Sequence, residues 1–236
     1  MTLPVQESCF HEADPSLALS RRAAVEGVGT LLLVLAASGG GLAAARAFAG
    51  QPGAVLPIMA LVLAGALVSL IVALGKVSGG HFNPLITALQ WLAGERSRSC
   101  TIAYVAAQTV GAVVGGYLAT RLWRVEPAGS GGMGWAGFGS EFAASAGLML
   151  IVFGCSRSGR ADTGPFAVGA WLLAAVVATP TTSYANPAVV FGAMASAGPI
   201  ALGRDALLPY VLAEVAGAFI ALLLVQALFP QRKAAP

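Results

Sequence analysis

Ser78-Gly79-Gly80-His81-Phe82-Asn83-Pro84-Leu85 returns, altered, as Ser183-Tyr184-Ala185-Asn186-Pro187-Ala188-Val189. Each copy carries an Asn-Pro step, and each step opens a short apolar stretch. Asn-Pro is a helix-start signal. Proline suits the first helical turn, and the asparagine before it can cap the free N–H groups. Two helix starts placed in lipid leave those N–H groups stranded unless they face a polar path. The pair therefore predicts a pore assembled from two half-helices.

The rest of the chain supports a membrane setting. Of its 236 residues 57% are hydrophobic and only 10% charged, with a mean hydropathy of +0.81. A soluble domain carries about 25% charged residues. Thirty glycines fit closely approaching membrane helices, and Gly111-Ala-Val-Val-Gly115 has the spacing for one such contact. A net charge of +3 spread over short loops gives no nucleic-acid face. Cys9, Cys100 and Cys155 lack metal or redox spacing and read as free thiols, and no catalytic or metal-ligating constellation is present.

A membrane-crossing helix needs about 20 apolar residues. Six stretches qualify, at about 23–47, 55–75, 102–122, 140–156, 166–182 and 207–229. The pieces at 83–92 and 186–196 are too short to cross. Ten helical residues rise about 15 Å, so two end to end cover about 30 Å, the hydrocarbon thickness. The expected fold class is an all-α membrane protein of six transmembrane helices and two re-entrant half-helices. Residues 1–20 are polar, with Glu7, His11, Glu12 and Asp14, and read as a flexible cytosolic tail with no cleavable signal peptide. Residues 231–236 read as a C-terminal tail. Placing both termini in the cytosol puts nine of the thirteen Lys and Arg residues on that side. The location that follows is the inner (plasma) membrane.

The halves repeat beyond the Asn-Pro steps. Glu26 opens the first span and Glu141 the fourth; Tyr104-Val-Ala-Ala-Gln108 begins the third and Tyr210-Val-Leu-Ala-Glu214 the sixth. The repeats run over about 21–124 and 135–230, within one channel domain spanning 21–230. With three spans per half, the second copy inserts upside down, and the functional site falls at the midplane between them.

These residues resemble the major intrinsic protein family, the aquaporins and glycerol facilitators. The resemblance covers about 22–229 and rests on Ser-Gly-Gly-His-Phe-Asn-Pro, on the second Asn-Pro-Ala, and on the pair Glu26 and Glu141. It implies an inverted-repeat fold, a homotetramer in lipid with one pore per subunit, and passive flow of small neutral solutes without a cofactor. The pore midplane then comprises Asn83, Pro84, Leu85, Asn186, Pro187 and Ala188. Leu85 stands where the family usually has alanine, and Val189 where it usually has the filter arginine. Counting back from the Asn-Pro steps assigns the other filter positions to Leu63, Ala174 and Ser183.

In this reading the amides of Asn83 and Asn186 aim at the solute. Carbonyls of Ser78, Gly79, Gly80, Thr182, Tyr184 and Ala185 supply acceptors along one wall, while Leu63, Ile71 and Val189 form the apolar wall. Glu26, Glu141 and His81 support the loops. The apolar filter implies a wide mouth that admits polyols, urea or neutral metalloid hydroxides such as arsenite beside water. The competing classes are an ion-coupled secondary transporter, which would use the buried acids as a relay, and a non-conducting membrane scaffold.

Overall fold

The computed structural model describes residues 9–129, 132–160 and 162–229. All regular elements among them are helical: α1 (Leu19–Ala47), α2 (Pro52–Ser78), α3 (Pro84–Leu92), α4 (Arg98–Trp123), α5 (Trp135–Arg157), α6 (Gly164–Ala178), α7 (Pro187–Met194) and α8 (Leu207–Leu228), with single 3₁₀ turns at Gly198–Ile200 and Arg204–Ala206. Five of these are long and apolar enough to cross a membrane: α1, α2, α4, α5 and α8. The sixth, α6, has 15 residues. It rises about 22 Å, and irregular backbone completes its path. The fourth span starts earlier than its apolar core implies, with Gly134 as its N-cap and Trp135–Gly139 inside the helix.

The short helices α3 and α7 start where the Asn-Pro steps put them. Asn83 is the N-cap of α3 and its side chain accepts from the Leu85 N–H; Asn186 caps α7 and accepts from Ala188 and Val189. Proline fills the first position of each helix, where no N–H is needed. Each removed cap costs about 1 kcal/mol.

Packing follows the repeat. In the first half α1 lies against α4 and α2; in the second α5 lies against α8 and α6. Contact between halves comes from α2 on α6 and from α7 on α4. The Gly111-to-Gly115 spacing is a real seam. A Cβ at Gly111 would stand 2.1 Å from the Gly27 carbonyl oxygen, and one at Gly115 would stand 2.3 Å from that of Leu31. Gly217 repeats the first contact on α8, 2.2 Å from the Phe142 carbonyl oxygen. Gly27 and Phe142 each follow a buried glutamate, so the two seams are copies of one another.

The N-terminal segment departs from the flexible tail expected of residues 1–20. Residues 1–8 lie outside the described residues, as do 230–236, which include the expected C-terminal tail. From Cys9 onward the chain is packed: Cys9 and Phe10 are buried, and the Ala13 N–H donates to the Lys76 carbonyl. Main-chain bonds and ion pairs hold this stretch, and neither leaves a periodic apolar pattern in sequence.

Candidate functional site

The loop before each half-helix is hung on a buried carboxylate. Glu26 accepts from the N–H groups of His81 (3.0 Å) and Phe82 (2.7 Å), from Ser78 Oγ (2.6 Å) and from Gln108 Nε2 (2.8 Å). Glu141 repeats the main-chain part with Tyr184 (3.1 Å) and Ala185 (2.8 Å). Glu214 takes the next N–H, that of Asn186, at 2.9 Å. A carboxylate suits this work because it only accepts, and it can hold several N–H donors at once. Without it, each stranded N–H would cost about 1–3 kcal/mol.

The loops then exchange bonds. Asn83 Nδ2 donates to the Ala185 carbonyl and Asn186 Nδ2 to the Phe82 carbonyl, both at 2.8 Å. Each amide oxygen is held by its own half-helix, so the ring of contacts fixes both side chains. An amide NH₂ has two hydrogens. One from each asparagine is spent on the opposite loop, which corrects the expectation that the amides aim wholly at solute; a single N–H per asparagine remains. Both residues line one and the same cavity, to which both repeats contribute.

The cavity wall is mostly apolar. Leu63, Leu67, Ile71, Leu148, Val168 and Val189 contribute to it, with Met59 and Ile200. Polar contributions come from His81, Asn83, Thr182, Ser183 and Asn186, with Phe82 and Tyr184 beside them. No Asp, Glu, Lys or Arg among the described residues lines it. The buried acids Glu26, Glu141 and Glu214 therefore face the loops and not the path. The half-helices α3 and α7 bring their N-termini to the asparagines, and those ends carry partial positive charge.

Of the expected filter positions, Leu63, Ser183 and Val189 line this cavity. Ala174 does not: it is exposed on the outer face of α6. Val168, Leu172 and Val176 face the cavity instead, spaced by four. Ala174 sits two residues from its neighbours on that face, about 200° around the helix. The expected carbonyl wall also changes. The Ser78 carbonyl accepts from the Tyr104 hydroxyl at 2.8 Å, and the Ala185 carbonyl from Asn83. Gly79 and Gly80 do not line the cavity; Gly79 closes α2 with φ 100°, its N–H on the Gly75 carbonyl. In the second loop Thr182, Ser183 and Ala185 hold φ of 63°, 54° and 46°. Left-handed backbone of this kind costs about 1–2 kcal/mol per non-glycine residue. Ser183 Oγ has no protein partner although it is buried, and it belongs to the cavity wall.

His81 bridges rather than faces the path alone. Its Nδ1 lies 2.9 Å from Thr87 Oγ1 and its Nε2 lies 3.0 Å from the Phe10 carbonyl oxygen. A carbonyl only accepts, so Nε2 carries the proton. Phe10 is among the cavity residues that sequence reasoning missed, as are Leu67, Leu148, Val168, Leu172 and Val176. The signal for Phe10 was the apolar pair Cys9-Phe10 inside a polar run.

Residues 15–194 match the family model described as major intrinsic protein. The chain is 35% identical over 215 residues to aquaglyceroporin AqpS of Rhizobium meliloti (strain 1021), covering 88% of this chain and 90% of that protein. It is 31% identical over 195 residues to Aquaporin Z of Photorhabdus laumondii, covering 71% of this chain and 80% of that one. Among solved structures, the aquaglyceroporin from Plasmodium falciparum superposes with a TM-score of 0.68 at 18% identity, over 89% of this chain and 95% of that chain.

Proposed function

The chain belongs to the major intrinsic protein family, whose members are passive membrane channels for small uncharged solutes and not enzymes, and from that premise we propose that this one has a permissive filter. Water and glycerol-sized polyols, urea and neutral metalloid hydroxides such as arsenite pass it. The observation that carries this reading is that Val189 lines the same cavity as Ser183 and Leu63, with no arginine among its described lining residues. An arginine at that place would narrow the mouth and add a fixed cation. Valine adds neither charge nor donors, so size and polarity limits relax together.

A neutral solute entering an apolar passage loses water hydrogen bonds, and each uncompensated polar group costs several kcal/mol. The unspent N–H of Asn83 and of Asn186 and the free hydroxyl of Ser183 give some of them back. Cations find no acidic ring and meet two positive helix ends. The subunits assemble as homotetramers in the inner membrane with both termini in the cytosol, a disposition supported by the distribution of Lys and Arg.

Stopped-flow light scattering on vesicles containing the purified protein tests the reading. Water, glycerol, urea and arsenite fluxes all rise above those of empty vesicles. Fast water flow with the three larger solutes excluded would overturn it.

A further inference from the structure

We propose that residues 9–13 are a built-in stopper: the chain's own N-terminal segment docks in a donor-lined cup at one mouth of the passage, Phe10 stands in the opening, and undocking clears it. The proposal rests on the channel reading above.

The cup is built by α1, the first re-entrant loop, α3 and the turn after it. His81 Nε2 and Gln90 Nε2 both donate to the Phe10 carbonyl, at 3.0 and 2.8 Å. Arg96 Nη2 donates to Glu12 at 2.9 Å, and Arg22 reaches the other oxygen of the same carboxylate. Arg96 is itself held by Gln90 Oε1 at 2.9 Å, so the carbonyl and carboxylate contacts belong to one network. The Ala13 N–H donates to the Lys76 carbonyl at 2.9 Å. On the far side, Cys9 Sγ donates to the Arg160 carbonyl at 2.7 Å, in the turn between α5 and α6. The segment thus spans the mouth from the first repeat to the second.

Two features mark Phe10 as an occupant of the passage. It lines the same cavity as Asn83 and Asn186, and it is only 5% exposed. Its φ of 61° is a left-handed value that a phenylalanine rarely adopts. The paired donors on its carbonyl hold it there. The opposite wall leaves room by using glycine: a Cβ at Gly164 would lie 2.8 Å from Cys9 Sγ and 3.5 Å from the Phe10 ring.

His81, Gln90 and Arg96 are buried beneath the segment. Undocking opens them to water, which can take the place of the carbonyl and the carboxylate. The proposed undocked state thus leaves these donors partnered by solvent.

The test uses full-length protein in vesicles at matched density. Variants are Phe10→Ala, Glu12→Gln and the pair Ala13→Cys with Lys76→Cys. Water and glycerol flux, thermal unfolding and maleimide labelling of Cys9 are measured on each. If the docked state holds about nine in ten molecules, releasing it raises flux by roughly tenfold. Phe10→Ala and Glu12→Gln show that rise, and Cys9 labels faster in Glu12→Gln. Disulfide formation in the cysteine pair lowers flux and reductant restores it. Equal flux in wild type, Glu12→Gln and the oxidised pair would overturn the stopper while leaving the channel in place. Absence of flux for every solute in every variant, with normal unfolding, would overturn the channel reading itself and the stopper with it.

Discussion

Phe82 and Ala185 hold the same left-handed backbone, at φ 47° and 46°, and each offers its carbonyl to the asparagine of the other repeat. A strained residue in each loop is thus the acceptor that joins the halves. Strain is tolerated because Glu26 and Glu141 hold the N–H of these same residues. Asn186→Ala removes the α7 cap and leaves the Phe82 carbonyl without a partner. It lowers stability by about 2–4 kcal/mol, from about 1 for the cap and about 1–3 for the orphaned acceptor. Asn83→Ala behaves alike. The double variant loses less than the two singles together, because one seam is broken twice. Unfolding of detergent-solubilised protein measures all three; additive losses would show independent loops.

Glycines at the α1–α4 and α5–α8 seams differ from glycines elsewhere. Gly111→Ala and Gly217→Ala place a Cβ 2.1 and 2.2 Å from a main-chain oxygen, so helices must separate. The expected loss is about 1–3 kcal/mol each, the usual cost of overpacking. Gly139, exposed on α5, meets nothing within 4 Å. Gly139→Ala is neutral or stabilising by up to about 1 kcal/mol. Melting temperatures of the three variants check the contrast.

Buried acids are not equivalent. Both oxygens of Glu141 take main-chain N–H groups, so Glu141→Gln turns an NH₂ toward Tyr184 or Ala185. Donor faces donor, and about 1–3 kcal/mol is lost. Glu214 uses one oxygen on Asn186, and its other oxygen has no protein partner. Its repeat counterpart is Gln108. Glu214→Gln is accordingly tolerated, with melting and glycerol flux near wild type, while Glu141→Gln falls in both.

Val189→Arg restores a long cation to the cavity wall. Glycerol flux drops by roughly tenfold, the factor given by about 1.4 kcal/mol of added barrier, and water flux changes less. Stopped-flow ratios of glycerol to water, compared between variant and wild type, read the effect directly.

Glu12 predicts how the N-terminal contact responds to acid. Burial alone would raise its carboxyl, but its own N–H, Arg96 and Arg22 outweigh this and hold it below the usual 4.5. Arg22 faces it from α1 and Arg96 from the turn after α3; His11 pairs with Glu95 beside it, and the Lys76 and Arg160 carbonyls hold the flanking residues. A carboxyl depressed in the folded state stabilises above its free value and loses that effect as pH falls through the lowered one. The Glu12 contribution to docking is therefore fully present above the free value of 4.5 and is lost only as pH falls through the lowered one. Burial, followed by the nearby Cys155, pushes the Cys9 thiol up to about 11, so it reacts slowly at neutral pH while docked. Hydrogen exchange of residues 9–13 across this range is the check.

The half-helices, the loop-supporting glutamates and the inverted repeat were legible because each rests on a local rule. Asn-Pro starts a helix wherever it stands, and a glutamate in an apolar span needs donors. Ala174 was misplaced because counting back along a sequence ignores which way α6 is turned; the face carrying Leu172 and Val176 is set by packing against α2. The role of the Ser78 carbonyl was hidden for a related reason. Its partner, Tyr104, lies 26 residues away, and the hydroxyl already occupies that oxygen. The docked segment at 9–13 was illegible since its anchors are main-chain atoms and ion pairs, which leave no repeat.

The exchange of bonds between Asn83 and Asn186 also bears on how the protein is made. Asn83 donates to a carbonyl 102 residues further along, in the second repeat. During translation the first half is threaded and finished while its central amide still waits for a partner. The cavity wall, drawn from both repeats, is closed only when the second half arrives.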